Sequence, residues 1–138
     1  MGDPMTESDR PTQRAILDTS VVIADPVAPI PGDLAISAIT LAELNFGVLI
    51  AKSAEVRAER LRRLSLLQQR FDALPVDDAV AISYGRLASA VVDAGRQPRR
   101  RAMDLLIAAT AHAHGATLYT RNPADFTGVD TLVHIVEV

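Results

Sequence analysis

Two four-residue runs, AILD at residues 15–18 and LAIS at 34–37, constrain the fold more than any other feature of this chain. Each is apolar until it closes on a polar residue. They are too short for helices and lack the alternation of a half-solvated strand, which is the pattern of parallel strands buried on both faces. TLYT at 117–120 and LVHIVEV at 132–138 read as the last two strands, and LPV at 74–76 is a shorter candidate. Apolar periodicity predicts helices over 38–51, 54–70 and 77–95, and another from Asp104 to Gly115. Pro26, Pro29, Pro31 and Gly32 leave room only for a short helix and a loop between the first two strands. Strands alternating with helices predict a single α/β domain with a mainly parallel central sheet and helices on both faces.

The 138 residues suffice for one hydrophobic core, and 49% hydrophobic with 22% charged residues is a globular composition. With no cysteine, disulfides, thiolate nucleophiles and cysteine-ligated zinc are excluded. No apolar run reaches the ~18 residues of a membrane span. Residues 1–13, MGDPMTESDRPTQ, are polar, are broken by Pro4 and Pro11, and lack the apolar core of a signal peptide. They read as a flexible N-terminal tail before a domain at 14–138, and the expected location is the cytoplasm. Net charge is −3, yet the basic residues are one lysine and thirteen arginines. The arginines within 57–63 have the spacing of a solvated helix face. Arg99, Arg100 and Arg101 are a cluster able to hold phosphate.

In an open α/β sheet the functional crevice lies at the carboxyl ends of the strands. Asp18 closes the first strand, Glu43 lies early in the helix after the second, Asp104 opens the helix after the arginine cluster, and Asp125 follows TLYT. Each acid has a local explanation: helix capping for Asp18 and Asp104, a capping box for Thr40 with Glu43, a turn for Asp125. Their convergence at strand ends argues for more. Carboxylates gathered in a partly desolvated cleft repel one another unless a cation neutralises them. A hard divalent ion suits such an oxygen donor set, and it promotes phosphodiester hydrolysis. His112 and His114, two residues apart on a helix, face different ways and make no paired metal site.

Together ILDTSVVI, ISAITLAELNFGV and RRRAMDLLIAATAHAHGATLYTRNPADF resemble the PIN-domain ribonucleases, and specifically the VapC-type toxins of toxin–antitoxin pairs. The resemblance spans residues 14–138. It implies a PIN-like domain acting as a metal-dependent endoribonuclease, with catalytic acids at Asp18, Glu43, Asp104 and Asp125. Asp18 and Asp104 match the acids that hold the metal, Mg²⁺ or Mn²⁺ in its place. Asn122 stands where some relatives carry an acid, which leaves Asp125 as the last of the set. Arg101 and Thr120 are the expected substrate contacts, and Thr19 and Ser20 are further polar neighbours. The implied partners are an RNA substrate and a cognate VapB-type antitoxin, in a homodimer or a toxin–antitoxin hetero-oligomer. The alternative is a catalytically silent PIN-like module that binds RNA or a protein, which would keep its activity when Asp104 is substituted.

Overall fold

A computed structural model of the chain describes residues 13–24 and 29–138. The proposed tail at 1–13 therefore lies almost wholly outside the described residues. Five strands form one parallel sheet: β1 (Arg14–Leu17), β2 (Asp33–Ser37), β3 (Asp72–Leu74), β4 (Thr117–Thr120) and β5 (Ile135–Glu137). Five α-helices accompany them: α1 (Thr19–Val22), α2 (Ala38–Leu49), α3 (Ala54–Arg70), α4 (Asp78–Asp93) and α5 (Ala102–Ala113). Single 3-10 turns at Pro98–Arg101 and Pro123–Phe126 lead into α5 and out of β4.

The period-2 geometry of a strand explains why these short runs are apolar throughout. Ile16, Ala35 and Leu118 face one side of the sheet, where they pack with Val80, Leu87 and Val91 of α4 and with Leu105, Ile107 and Ala108 of α5. Leu17 and Ile36, one position along, face the other side and meet Val21 and Val22 of α1, Leu67 of α3, and Phe71. Each fully buried aliphatic side chain contributes roughly 1.5–3 kcal/mol, so both faces must be covered for the sheet to persist.

Capping sets where the helices begin. Side chains of Asp18, Ser37, Ser53 and Asp77 each accept a backbone N–H from the first turn of α1, α2, α3 and α4. The expected capping box at Thr40 and Glu43 is corrected by this arrangement. Ser37 starts α2 three residues earlier, so Thr40 lies inside the helix, fully buried. Gly32 is required at its position, where φ is +110° and an added Cβ would meet the Gln13 carbonyl oxygen at 2.5 Å. That close approach aligns β2 beside β1, through Asp33 N–H donating to the same carbonyl.

Other expectations shift in detail. The third strand is Asp72–Leu74 rather than 74–76, and the last covers only Ile135–Glu137, because Val129 to Val133 coil into hydrogen-bonded turns first. The solvated face at 57–63 holds for Arg62, which pairs with exposed Glu59. It holds too for Arg60, which stays exposed while donating to the Gly47 carbonyl at 2.6 Å, and fails for Arg63, half-buried with its guanidinium donating to the Ala24 carbonyl at 2.6 Å. Among the described residues no helix is long and apolar enough to cross a membrane.

The sheet order β3-β2-β1-β4-β5 places the reversal of strand order between β1 and β4. An open parallel sheet has its binding crevice outside the carboxyl ends of the strands at that point.

Candidate active site

Asp18 stands at this reversal, directly after β1, with its backbone N–H donating to the Tyr119 carbonyl of β4. It is only 6% exposed, and three donors hold its carboxylate. The Ser20 hydroxyl donates to Oδ1 at 2.5 Å, the Val21 N–H to Oδ1 at 3.3 Å, and the Thr120 hydroxyl to Oδ2 at 2.6 Å. Both hydroxyls also accept, Ser20 from Arg121 N–H and Thr120 from Asn122 N–H. Two relays thus tie the segment leaving β4 to the acid that closes β1. Thr120, expected to touch substrate, has no exposed surface at all, so that expectation is corrected: its hydroxyl is used in positioning Asp18.

Glu43 projects from the second turn of α2 and is half-buried. Its Oε1 accepts from the Thr19 hydroxyl at 2.7 Å, and Thr19 also lies 3.1 Å from the Thr40 hydroxyl. Residues 18, 19 and 20 at the start of α1 therefore position two acids at once. The sequence marks Thr19 and Ser20 as polar neighbours; which acid each serves is set by the packing of α1 against α2.

Asp104 lies in the first turn of α5 and does not cap it. Among the described residues its carboxylate accepts no hydrogen bond, and Arg101 approaches its Oδ2 only to 3.9 Å. Burial, then the neighbouring carboxylates of Asp125 and Glu43, and more weakly that of Asp18, push its pKa up to about 6; Arg101 acts in the opposite direction. Asp125, in the 3-10 turn after β4, is instead held by Arg101, with Nη1 to Oδ1 at 2.5 Å. This ion pair joins residues 24 apart in sequence, and sequence reasoning missed it by assigning Arg101 wholly to substrate.

All four acids named from the sequence thus gather at one end of the sheet, close enough for Asp104 to feel the charge of the other three. Among the described residues no three carboxylates or histidines close tightly enough to form a complete protein cage for a metal ion. The donor set is all oxygen, and the charge repulsion felt at Asp104 is what a cation relieves. That combination suits a hard ion bound by one or two carboxylates with water completing the shell. The histidines stand apart, His112 Nδ1 pairing with the Ser83 hydroxyl at 2.8 Å between α5 and α4.

Residues 15–131 match the PIN domain family. The chain belongs to that family. Among the proteins this PIN domain resembles are Ribonuclease VapC5 of Mycobacterium tuberculosis, 39% identical over 83% of this chain and 87% of the relative. Toxin FitB of Neisseria gonorrhoeae is 34% identical over 86% of this chain and 94% of that toxin. Among solved structures, the VapBC-5 toxin–antitoxin system of Mycobacterium tuberculosis superposes with a TM-score of 0.77 at 36% identity, covering 91% of this PIN domain and 98% of the matched chain.

Proposed function

We propose that this PIN domain is a VapC-type endoribonuclease toxin that depends on a divalent metal ion, Mg²⁺ or Mn²⁺, and that a cognate VapB-type antitoxin neutralises it in the cytoplasm. The observation that carries this reading is the convergence of Asp18, Glu43, Asp104 and Asp125 at the β1–β4 reversal, with Asp104 bearing the cost of their mutual repulsion. Asp18 and Asp104 would hold the ion, Asp18 fixed in place by its hydroxyl donors and Asp104 on the first turn of α5. The ion supplies Lewis acidity and positive charge for a phosphodiester in-line displacement.

The chain's own residues supply the rest. Thr19 holds Glu43 by a hydrogen bond, and the Glu43 carboxylate would take the proton of the attacking water as the new P–O bond forms, while the leaving ribose oxygen takes a proton from solvent as its bond to phosphorus breaks. Arg101 holds Asp125 in place and offsets its charge, so that the acid cluster does not repel the phosphodiester outright. The relatives' toxin–antitoxin structures support a partner for this chain too. Phe46, Leu49 and Ile50, all exposed at the carboxyl end of α2, offer apolar surface for an antitoxin or a second copy.

The test is incubation of the antitoxin-free protein with total cellular RNA, with and without Mg²⁺ or Mn²⁺, beside Asp104→Asn, followed by mapping of the cut ends. Discrete cleavage that needs both metal and Asp104 is the expected result. Intact RNA in every lane from a folded protein would favour the silent binding module. Cutting that persists in Asp104→Asn would overturn the proposed metal site.

A further inference from the structure

Beside the acid cluster, on the side of α4, lies a cavity of about 370 Å³ whose rim is basic. Arg96, Gln97, Arg100 and Arg101 line it together with Asp125, Thr127 and the buried residues Val91 and Leu105. Its one carboxylate, Asp125, is already matched by Arg101. Among the described residues, Arg96 and Arg100 make neither an ion pair nor a side-chain hydrogen bond, and both are exposed. Two arginines therefore face a concave site in which, among the described residues, no protein anion is left to satisfy them.

The backbone that presents them is fixed. Helix α4 ends in a Schellman turn, with Gly95 at φ +79°, Gly95 N–H donating to Val92 O and Arg96 N–H to Val91 O. Pro98 then opens the 3-10 turn that carries Arg100 and Arg101 into α5. Arg96 and Arg100 thus leave fixed backbone points on either side of Pro98, and the planar guanidinium fork can give two N–H donors to the oxygens of one phosphate. Asp125 belongs both to this cavity and to the acid cluster, so a strand whose scissile phosphate lies among the acids continues directly into the cavity.

We infer that this cavity is a phosphate subsite in which Arg96 and Arg100, with Gln97, hold a backbone phosphate of the RNA strand next to the one being cut. The inference rests on the ribonuclease reading and deepens it. Arg101, the substrate contact expected from sequence, is occupied with Asp125, and the work of gripping the strand passes to its neighbours. The subsite reads no base; it fixes how far the strand advances across the acids.

The test is binding of a fluorescein-labelled ten-residue oligouridylate in EDTA, where no cleavage occurs, titrated with salt. The double variant Arg96→Gln/Arg100→Gln should bind roughly tenfold more weakly at low salt, and its log K against log[salt] slope should be shallower by about 0.7 for the phosphate lost. Arg96→Lys/Arg100→Lys should recover most of the slope. Arg62→Gln/Arg70→Gln, with the same change in net charge on α3, which lines no part of the cavity, should match the parent. Hydrolysis of bis(p-nitrophenyl) phosphate by the metal-loaded double variant should be unchanged, since that substrate has no second phosphate. An unaltered slope in the double variant, an equal loss in the control pair, or a loss of antitoxin affinity with RNA binding intact would each overturn the subsite. If the parent cleaves no RNA with metal, the ribonuclease reading fails on that result, while the titration still judges the cavity.

Discussion

Asp18 and Asp104 face the same crevice but are held by opposite means. Asp18 is buried among three neutral donors, two of which, the Ser20 and Thr120 hydroxyls, are themselves tied to the chain leaving β4. Asp104 has no hydrogen-bond donor among the described residues, and its surroundings are burial and like charge. One acid is part of the scaffold that joins β1 to β4. The other carries unfavourable charge that a bound cation would offset. Neutral hydrogen bonds thus fix one acid, while burial and like charge leave the other unrelieved.

The sharpest way to break this comparison is to remove each acid. Asp18→Ala should abolish RNA cleavage and also destabilise the metal-free protein by about 2–3 kcal/mol, because a helix cap is lost and the hydroxyls of buried Thr120 and half-buried Ser20 lose their acceptor. Asp104→Asn should abolish cleavage as well, yet raise the melting temperature of the metal-free protein at pH 7.5. The rise should be roughly 2–4 °C once the side chain's 34% exposure is allowed for. Thermal melts in EDTA read both signs; destabilisation by both variants would erase the distinction.

Thr120→Val tests the scaffold half alone. It keeps the shape but removes the donor to Asp18, and should cost about 1 kcal/mol of stability and roughly 10–100-fold in cleavage at subsaturating metal. Unchanged metal dependence would show that Asp18 does not need this support.

The electrostatic half has a pH signature. Asp104 titrates near 6 in the folded chain, above its ordinary value of 3.8, so between those values the folded state binds more protons than the unfolded one. Its contribution to stability is full below about pH 4 and is lost as pH rises through about 6. The melting temperature in EDTA should carry that decline, Asp104→Asn should lack it, and the gain produced by saturating Mg²⁺ should grow across the same interval. The smallest effect is expected from Arg101→Gln. It removes the one charge that lowers the Asp104 pKa, so the decline should move to higher pH, at a cost to stability below about 1 kcal/mol for a partly exposed pair.

Much of the fold is legible in the sequence because its strands are short, apolar and closed by polar residues. The same feature put Asp18 at a strand end, and the first-turn position of Asp104 followed from the helix after the arginines. Edge strands were less legible. Asp72 begins β3 and β5 is three residues long, so neither has the apolar run that marks β1 and β2. Side-chain partnerships were least legible of all. Thr19 to Glu43, Thr120 to Asp18 and Arg101 to Asp125 join residues 24, 102 and 24 positions apart, and no local pattern encodes which hydroxyl or guanidinium meets which acid. Arg63 carries the same lesson, since a helix-surface spacing conceals its reach to the carbonyls of Val22, which ends α1, and Ala24 beyond it.

The order β3-β2-β1-β4-β5 also has a consequence for the chain during its synthesis. Strands β1, β2 and β3 leave the ribosome first and can pair among themselves, but the flank of β1 that faces the crevice stays open until β4 arrives. Asp18 then lacks the Thr120 hydroxyl, and Asp125 has yet to be made. A nascent chain, or one cut short by a premature stop between residues 105 and 119, carries three of the four acids without the β4 side of the crevice, so the order of translation keeps the acid cluster from assembling until nearly the whole polypeptide has been made.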